Sequence, residues 1–244
     1  MRVPHIYQAS DIALNTPVTL DDDAAGHIGR VLRMKIGEHV SIFNGEGGEY
    51  LSEIIEVTKK TVIVMPLELN PHDVESPLKI HLGQCVSRGD KMDFTIQKSV
   101  ELGITEITPL FSQRCGVKLS GDRLEKKHQQ WQKIAIAAAE QSGRNFVPVV
   151  HPPVDLKQWL DQQTQAIKLT LHPRAEHSIK TITVPKDGVR FLVGPEGGFT
   201  DEEMAQTKQQ DFVDIRLGPR VLRTETAALT VLSALQLQFG DLAN

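Results

Sequence analysis

The sequence predicts an α/β protein in which a small β-rich domain precedes a larger domain with a mostly parallel sheet. Up to residue 70 the chain consists of short β-type segments separated by turns, whereas strand and helix patterns alternate after residue 78. Between the two regions, residues 70–77 are polar and contain Pro71 and Pro77, which is typical of a linker.

The first region owes its predicted strands to β-branched and aromatic residues. Residues 39–43 and 61–69 are short, apolar and bounded by turn residues, as strands are. Residues 44–48 hold three glycines, whose tolerance of positive φ predicts a turn. A further strand is predicted over 49–57 and a short helix over 23–32. These elements predict a compact β-barrel.

The second region alternates apolar strands with amphipathic helices. Its strands are predicted over 79–86, 105–111, 167–171, 189–193 and 212–217. Its helices are predicted over 90–102, 122–142, 155–163 and 224–239, and one more opens at the capping box Thr200–Glu203. The last helix is apolar nearly all round, which predicts that it is buried.

Composition excludes several classes of protein. The chain has 244 residues, of which 40% are hydrophobic and 24% charged, so it is neither disordered nor fibrous. Cys85 and Cys115 stand alone, which argues against a disulfide framework and a cysteine-based zinc site. The first residues lack the apolar core of a signal peptide, and no apolar run approaches the roughly 18 residues of a membrane span. We expect a cytoplasmic protein without a membrane partner.

Charge is unevenly distributed along the chain. The net charge of −4 does not by itself indicate a nucleic-acid binder. Residues 79–133, however, carry ten Lys and Arg against six Asp and Glu. A solvated surface explains any single one of these charges, and only a spatial cluster would argue for contacts with phosphates.

Common catalytic motifs are missing. The sequence has no phosphate-binding P-loop, no dinucleotide-binding glycine motif, no nucleophile elbow and no His-Glu-x-x-His motif. Its nine histidines are scattered, so no set of metal ligands is visible and no metal is expected.

Two Gly-Pro loops follow predicted strands. Residues 191–200 run from an apolar strand through Gly194 into a capped helix, and residues 215–224 repeat the arrangement around Gly218. A third strand ends in the same way at Leu169–Pro173. A Gly-Pro pair can simply end a strand, but ligands of open α/β sheets bind where strands end. Together the loops predict a pocket of backbone and apolar groups, suited to a planar heterocycle.

These loops carry a resemblance to a known family. Residues 192–198 (Leu-Val-Gly-Pro-Glu-Gly-Gly) and 217–228 resemble the signature loops of SPOUT-class methyltransferases. The chain is more closely similar to the RsmE family of bacterial 16S rRNA (uracil-N3) methyltransferases, through residues 27–33, 88–103, 114–118 and 140–145. The resemblance covers essentially the whole chain.

The resemblance implies an architecture and a reaction. It implies a PUA-like β-barrel over 1–72 and a SPOUT domain with a C-terminal trefoil knot over 73–244. It implies methylation of N3 of a uridine in the decoding region of 16S rRNA, with S-adenosylmethionine as cofactor. The implied partners are the small ribosomal subunit and a second copy of the chain, bound through the knotted domain.

The resemblance also implies site residues. Those assigned to the cofactor are Leu171, His172, Gly194, Pro195, Glu196, Gly197, Gly198, Leu217, Gly218, Leu222 and Thr224. Arg223 and Glu225 are the catalytic candidates, because removal of the N3 proton needs a base or a cation. An alternative gives this segment helix-start chemistry, with Thr224 as N-cap and Glu225 in the first turn. A basic RNA track would comprise Arg30, Arg33, Arg88, Lys91, Lys98, Arg114, Lys118 and Arg144.

Two other functions stay open at this point. A knotted methyltransferase acting on tRNA or on a ribose 2′-oxygen would share the cofactor loops. A non-catalytic RNA-binding protein would keep the fold without the chemistry, although the intact glycines at 194, 197, 198 and 218 argue against it.

Overall fold

The structure is a computed structural model that describes residues 3–172 and 175–243. It divides into two compact units. The first comprises Met1–Glu75 with Ala139–Val147, and the second comprises Ser76–Ala138 with Pro148–Asn244.

The first unit therefore includes Ala139–Val147, a segment that the predicted boundary between residues 72 and 73 placed in the second domain. Ala139–Val147 packs with the first unit because its polar groups are bound there. The Tyr7 amide donates to Glu140 Oε1 at 2.9 Å, and Asn145 Nδ2 donates to the His72 carbonyl at 2.6 Å. A helix pattern gives no sign of such distant partners.

The first unit contains a five-stranded sheet in the order β1-β3-β4-β5-β2. Its strands are β1 (His5–Tyr7), β2 (Val18–Thr19), β3 (His39–Phe43), β4 (Glu49–Val57) and β5 (Val62–Asn70). β1 runs parallel to β3, and the other pairs are antiparallel. The predicted strands are confirmed within one residue, while β1 and β2 were missed because so few residues carry no periodicity.

The predicted helix over 23–32 consists of two different helices. Helix α1 (Asp22–Gly26) begins where Asp21 Oδ1 accepts from the Ala24 amide at 2.8 Å. A π-helix then spans His27–Leu32 and ends at Arg33, whose φ is +54°. Only Ile28 of this π-helix is buried, so its remaining side chains lie at or near the surface.

The second unit contains a seven-stranded parallel sheet, as predicted. Six strands follow the order β12-β10-β11-β6-β7-β8, and β9 pairs with β7. The strands are β6 (Ile80–Cys85), β7 (Glu106–Phe111), β8 (Val149–Val150), β9 (Val154–Asp155), β10 (Ile167–Leu171), β11 (Val189–Val193) and β12 (Val213–Ile215). Every residue of β11 is buried, as expected of a strand covered on both faces.

Helices flank this sheet. They are α2 (Lys91–Glu101), α3 (Gly121–Ser142), α4 (Leu156–Leu160), α5 (Asp201–Gln209) and α6 (Thr224–Phe239). The capping box at Thr200 and Glu203 is confirmed. The predicted burial of α6 is confirmed for part of the helix, including Ala228, Val231 and Leu235, whereas Leu237 is 55% exposed. Among the described residues, no helix is long and apolar enough to cross a membrane.

Candidate active site

A cavity of about 720 Å³ lies where three neighbouring strands end. β10 lies between β11 and β12, so their carboxyl ends at Leu171, Val193 and Ile215 stand side by side. The loops that follow these strands form the walls, together with parts of α5 and α6. This is the position at which parallel α/β sheets bind ligands.

The residues predicted to bind the cofactor converge on this cavity. Those that line it are Leu171, His172, Gly194, Pro195, Glu196, Gly198, Leu217, Gly218, Leu222 and Thr224. Pro173, the end of the third predicted loop, lies outside the described residues. Gly197 lies behind the wall, where a Cβ atom would come within 3.1 Å of Arg114 Cβ.

Glycine serves two different purposes in these loops. Gly198 and Gly218 have φ values of +68° and +72°, and nothing lies within 4 Å of the place a Cβ would take. They are required by the backbone conformation. Gly194 is constrained by space instead, because a Cβ there would lie 3.0 Å from the Phe199 ring, which would have to move slightly.

A buried hydrogen-bond network fixes the loop after β11 to helix α6. Thr224 Oγ1 donates to the Gly194 carbonyl at 2.7 Å and accepts from Gln84 Nε2 at 2.9 Å. Thr224 is the first residue of α6, and Arg223 occupies the N-cap position without a side-chain cap. Thr224 is therefore not the N-cap, whereas Glu225 does lie in the first turn of α6, as the alternative expected.

Gln84 belongs to this network, although sequence reasoning missed it. Its side chain is fully buried in β6, a strand whose other residues are mostly apolar. A buried amide in an apolar strand must find partners, which was the only signal available in the sequence.

An ion pair stands at the rim of the cavity. Lys91 Nζ lies 3.1 Å from Glu196 Oε1, which also accepts from the Arg88 amide at 3.4 Å. Partial burial alone would raise the pKa of Glu196, but hydrogen bonds from its own amide and from Lys91 hold that pKa below its usual value. Glu196 thus ties the loop to the start of α2.

The two catalytic candidates occupy different positions. Arg223 lines the cavity and is exposed, so its guanidinium is available to a substrate there. Among the described residues, Glu225 is not part of the cavity wall, and its Oε2 is buried without a hydrogen-bond partner.

Basic residues of the first unit surround a second, open cavity of about 1090 Å³. Arg30 lines it together with Lys59 and Lys60, which were not predicted. Arg33 is exposed at the left-handed end of the π-helix. The three lining cations come from two separate segments of the chain, so they form a spatial cluster rather than a charge run.

Basic residues of the second unit are partly engaged with their own chain. Arg88 Nε donates to the Gly116 carbonyl at 3.3 Å, and Lys98 pairs with Glu101 at 2.7 Å. Arg114 Nη1 donates to the carbonyls of Gly197 and Phe199, each at 3.2 Å, and so braces the loop after β11. Lys118 is exposed.

Arg144 does not fit the predicted RNA track. It is only 4% exposed, and its guanidinium is paired with the carboxylate of Glu75 inside the first unit. The prediction of an RNA contact by this residue is wrong, because the loop that ends α3 is packed rather than projecting. Removing Glu75 would leave an uncompensated buried charge, so Arg144 is committed to this pair.

Neither cysteine is placed to act as a nucleophile. Cys85 is fully buried, and burial raises the pKa of its thiol to about 12. Cys115 Sγ lies 3.2 Å from the Val86 carbonyl, and both thiols are reduced. Since thiolates are the reactive form, these positions favour packing over chemistry.

Two protein-family models match separate parts of the chain. Residues 74–236 match the model of an RNA methyltransferase domain. Residues 20–66 match the model of an RNA methyltransferase PUA domain.

Individual proteins are similar over nearly the full length. The chain is 38% identical to ribosomal RNA small subunit methyltransferase E of Buchnera aphidicola, covering 98% of this chain and 95% of that protein. A Legionella pneumophila protein solved with the bound cofactor SAM superposes with a TM-score of 0.96 at 43% identity, covering 99% and 100%. A ribosomal RNA small subunit methyltransferase E from Neisseria gonorrhoeae, bound to S-adenosyl methionine, gives 0.93 at 38% identity over 99% and 100%.

Proposed function

The chain belongs to the ribosomal RNA small subunit methyltransferase E family, and on that premise we propose that it methylates N3 of a uridine in the decoding region of 16S rRNA. It is an S-adenosylmethionine-dependent rRNA methyltransferase. The observation that carries the proposal is the cavity at three adjacent strand ends, lined by loops of the type the family uses for this cofactor.

The cavity fits S-adenosylmethionine in its chemistry. Apolar walls from Leu171, Leu217 and Leu222 suit the faces of an adenine ring. Open space beside Gly198 and Gly218 allows a ligand to approach the backbone closely, and the Gly198 amide is held by the Pro195 carbonyl. When bound, the cofactor supplies an already activated methyl group.

The chain must then make uracil N3 nucleophilic and hold it in line with the methyl group that it attacks. N3 carries a weakly acidic proton, so negative charge develops on the uracil as that proton leaves. Arg223 stands in the cavity wall, where its guanidinium would stabilise this charge. Glu225 follows it outside the cavity wall, and we propose that its unpartnered carboxylate oxygen takes up the proton through an intervening water.

The RNA reaches this site through cationic surfaces. N3 lies on the Watson–Crick edge, so a paired uridine must be exposed before it reacts. Arg30 and Arg33, joined by Lys59 and Lys60, would bind phosphates on the first unit. Arg88, Lys91, Lys98, Arg114 and Lys118 would do so on the second. Such contacts position the rRNA without selecting the base.

A trefoil knot and a homodimer complete the proposal. The chain leaves β12 and returns to the loop after β11, where Thr224 binds Gly194, and this path is compatible with the knot of the family. Helices α2 and α6 pack together and expose Phe94 and Leu237, which provides apolar surface for a second copy. The proposed substrate also implies a cytoplasmic location.

Methyl transfer from radiolabelled S-adenosylmethionine tests the reaction. The substrates are 16S rRNA and small subunits from a strain that lacks the cognate enzyme, followed by nucleoside analysis. We expect N3-methyluridine. Another methylated nucleoside would replace the substrate assignment, and absence of both transfer and cofactor binding would favour a non-catalytic RNA-binding protein.

A further inference from the structure

Three side chains that commonly bind metals converge at the opposite edge of the parallel sheet. His81, Glu106 and His151 each offer a ligand atom, and these atoms lie within 4.8 Å of one another. His151 Nε2 is 2.8 Å from Glu106 Oε2, and His81 Nδ1 is 3.9 Å from the same oxygen.

The sheet itself brings these residues together. His81 on β6 is in register with Glu106 on β7, so their side chains leave the same face at the amino ends of the strands. His151 follows β8, and its amide donates to the Ile107 carbonyl at 2.8 Å. Three backbone segments locked by hydrogen bonds therefore present the three ligands.

A neighbouring hydroxyl orients the most buried ligand. His81 Nε2 lies 2.8 Å from Thr108 Oγ1. With the proton on Nε2, this bond leaves the Nδ1 lone pair facing Glu106 and His151. Metal-binding histidines usually have their second nitrogen fixed in this way.

The cluster is accessible from a cavity of about 430 Å³. The side chains of His81, Glu106 and His151 are 20%, 46% and 38% exposed, so an ion can enter and the carboxylate can rotate towards it. Arg190 also lines this cavity, but its guanidinium stacks on Trp159 and donates to Gln162 Oε1 at 2.7 Å.

We propose that His81, Glu106 and His151 bind one divalent transition-metal ion of the Zn²⁺ class, with water in a fourth position open to the cavity. Two imidazoles and one carboxylate form a donor set that suits such an ion. The ion would link β6, β7 and the segment after β8. Because it lies at the edge opposite the cofactor cavity, it stabilises the second unit without entering methyl transfer.

Metal binding to the full chain without a polyhistidine tag tests this proposal. After treatment with a chelator, Zn²⁺ is titrated by calorimetry and Co²⁺ by visible absorption. We expect one ion per chain and a cobalt spectrum of low coordination number. His151→Gln and Glu106→Gln, both at partly exposed positions, should lose that spectrum, and Thr108→Val should weaken Zn²⁺ binding about tenfold.

His39→Gln is the matched control, since His39 is exposed and lies outside the cluster. It should keep wild-type affinity, stoichiometry and cobalt spectrum, and circular dichroism should show every variant folded. Metal should raise the melting temperature of the wild type and the control but not of the ligand variants. Unchanged binding in both ligand variants, or no stoichiometric binding by the wild type, would overturn the proposal.

Discussion

The two edges of the parallel sheet in the second unit are formed by different kinds of chemical group. At the carboxyl edge, the contiguous loops after three adjacent strands form the cavity proposed to bind the cofactor, with glycines and apolar side chains in its wall. At the amino edge, ionisable side chains from distant segments meet, and desolvation lowers the pKa of His81 to about 4 and that of Arg190 to about 10. A site made of contiguous loops can be recognised as a motif in the sequence. A site made of side chains from distant segments can be recognised only in the folded structure.

The largest effect is expected at the carboxyl edge. Gly198→Val should abolish measurable binding of S-adenosylmethionine, because a β-branched residue cannot keep φ at +68° and the loop must move. Isothermal titration calorimetry measures the loss. Gly37→Val is the control for backbone strain, because Gly37 has a φ of +87° and also lies in open space. It should lower the free energy of unfolding by about 1–2 kcal/mol and leave the affinity for S-adenosylmethionine unchanged.

The amino edge provides the contrasting measurement for that variant. His151→Gln should leave the affinity for S-adenosylmethionine unchanged. If His151→Gln weakened cofactor binding as Gly198→Val does, the two edges would not be independent sites.

Arg223→Ala should have the next largest effect. Loss of one charge-stabilising donor lowers kcat by about 100- to 1,000-fold in comparable sites, and we expect that range for methyl transfer to small subunits. Cofactor affinity should change little. A loss of cofactor affinity with kcat retained would make Arg223 a binding residue instead.

Thr224→Val should lower the free energy of unfolding, and not only the rate of methyl transfer. It removes the bond to the Gly194 carbonyl and the bond from Gln84 Nε2, which keeps only its bond to the Cys85 carbonyl, at a cost of about 1–3 kcal/mol. Chemical denaturation measures this free energy of unfolding. Thr226→Val, at an exposed position of the same helix, should stay within about 0.5 kcal/mol of the wild type, and equal losses in both variants would contradict the network.

Lys91→Met should have the smallest effect. The pair with Glu196 is about one-third exposed, and solvent screening limits its contribution to less than about 1 kcal/mol. Because the pKa of Glu196 is lowered on folding, the contribution is present above the unfolded pKa and is lost as the pH falls through the lowered one. Unfolding curves of both proteins across this range should converge at acid pH, and a constant difference would exclude the ion pair as the cause.

The sequence predicted much of the architecture because most elements have strong local signals. β10 and β11 begin and end at the predicted residues, and so does α6. The loops proposed to bind the cofactor could be singled out for the same reason, as each is a contiguous motif after a strand, and the structure brings them to one cavity. Strands of two or three residues, such as β2 and β8, have too few residues to show a period.

The missed side-chain contacts share one physical cause, which is pairing over long sequence distance. Arg144 was predicted to bind RNA, but it pairs with Glu75, which lies 69 positions away in the sequence. Gln84 and Thr224 are hydrogen-bonded although they are 140 positions apart. The contact among His81, Glu106 and His151 also joins distant segments, so the sequence gives no local signal for it. Which side chains meet is decided by strand order, and no local pattern encodes that order.

A crystal structure with S-adenosylmethionine would show directly which cavity holds the cofactor. We expect one cofactor molecule in the carboxyl-edge cavity, against the loops that contain Leu171, Gly198 and Gly218. Cofactor bound in another cavity, such as the one beside Arg30 and Lys59, would contradict it.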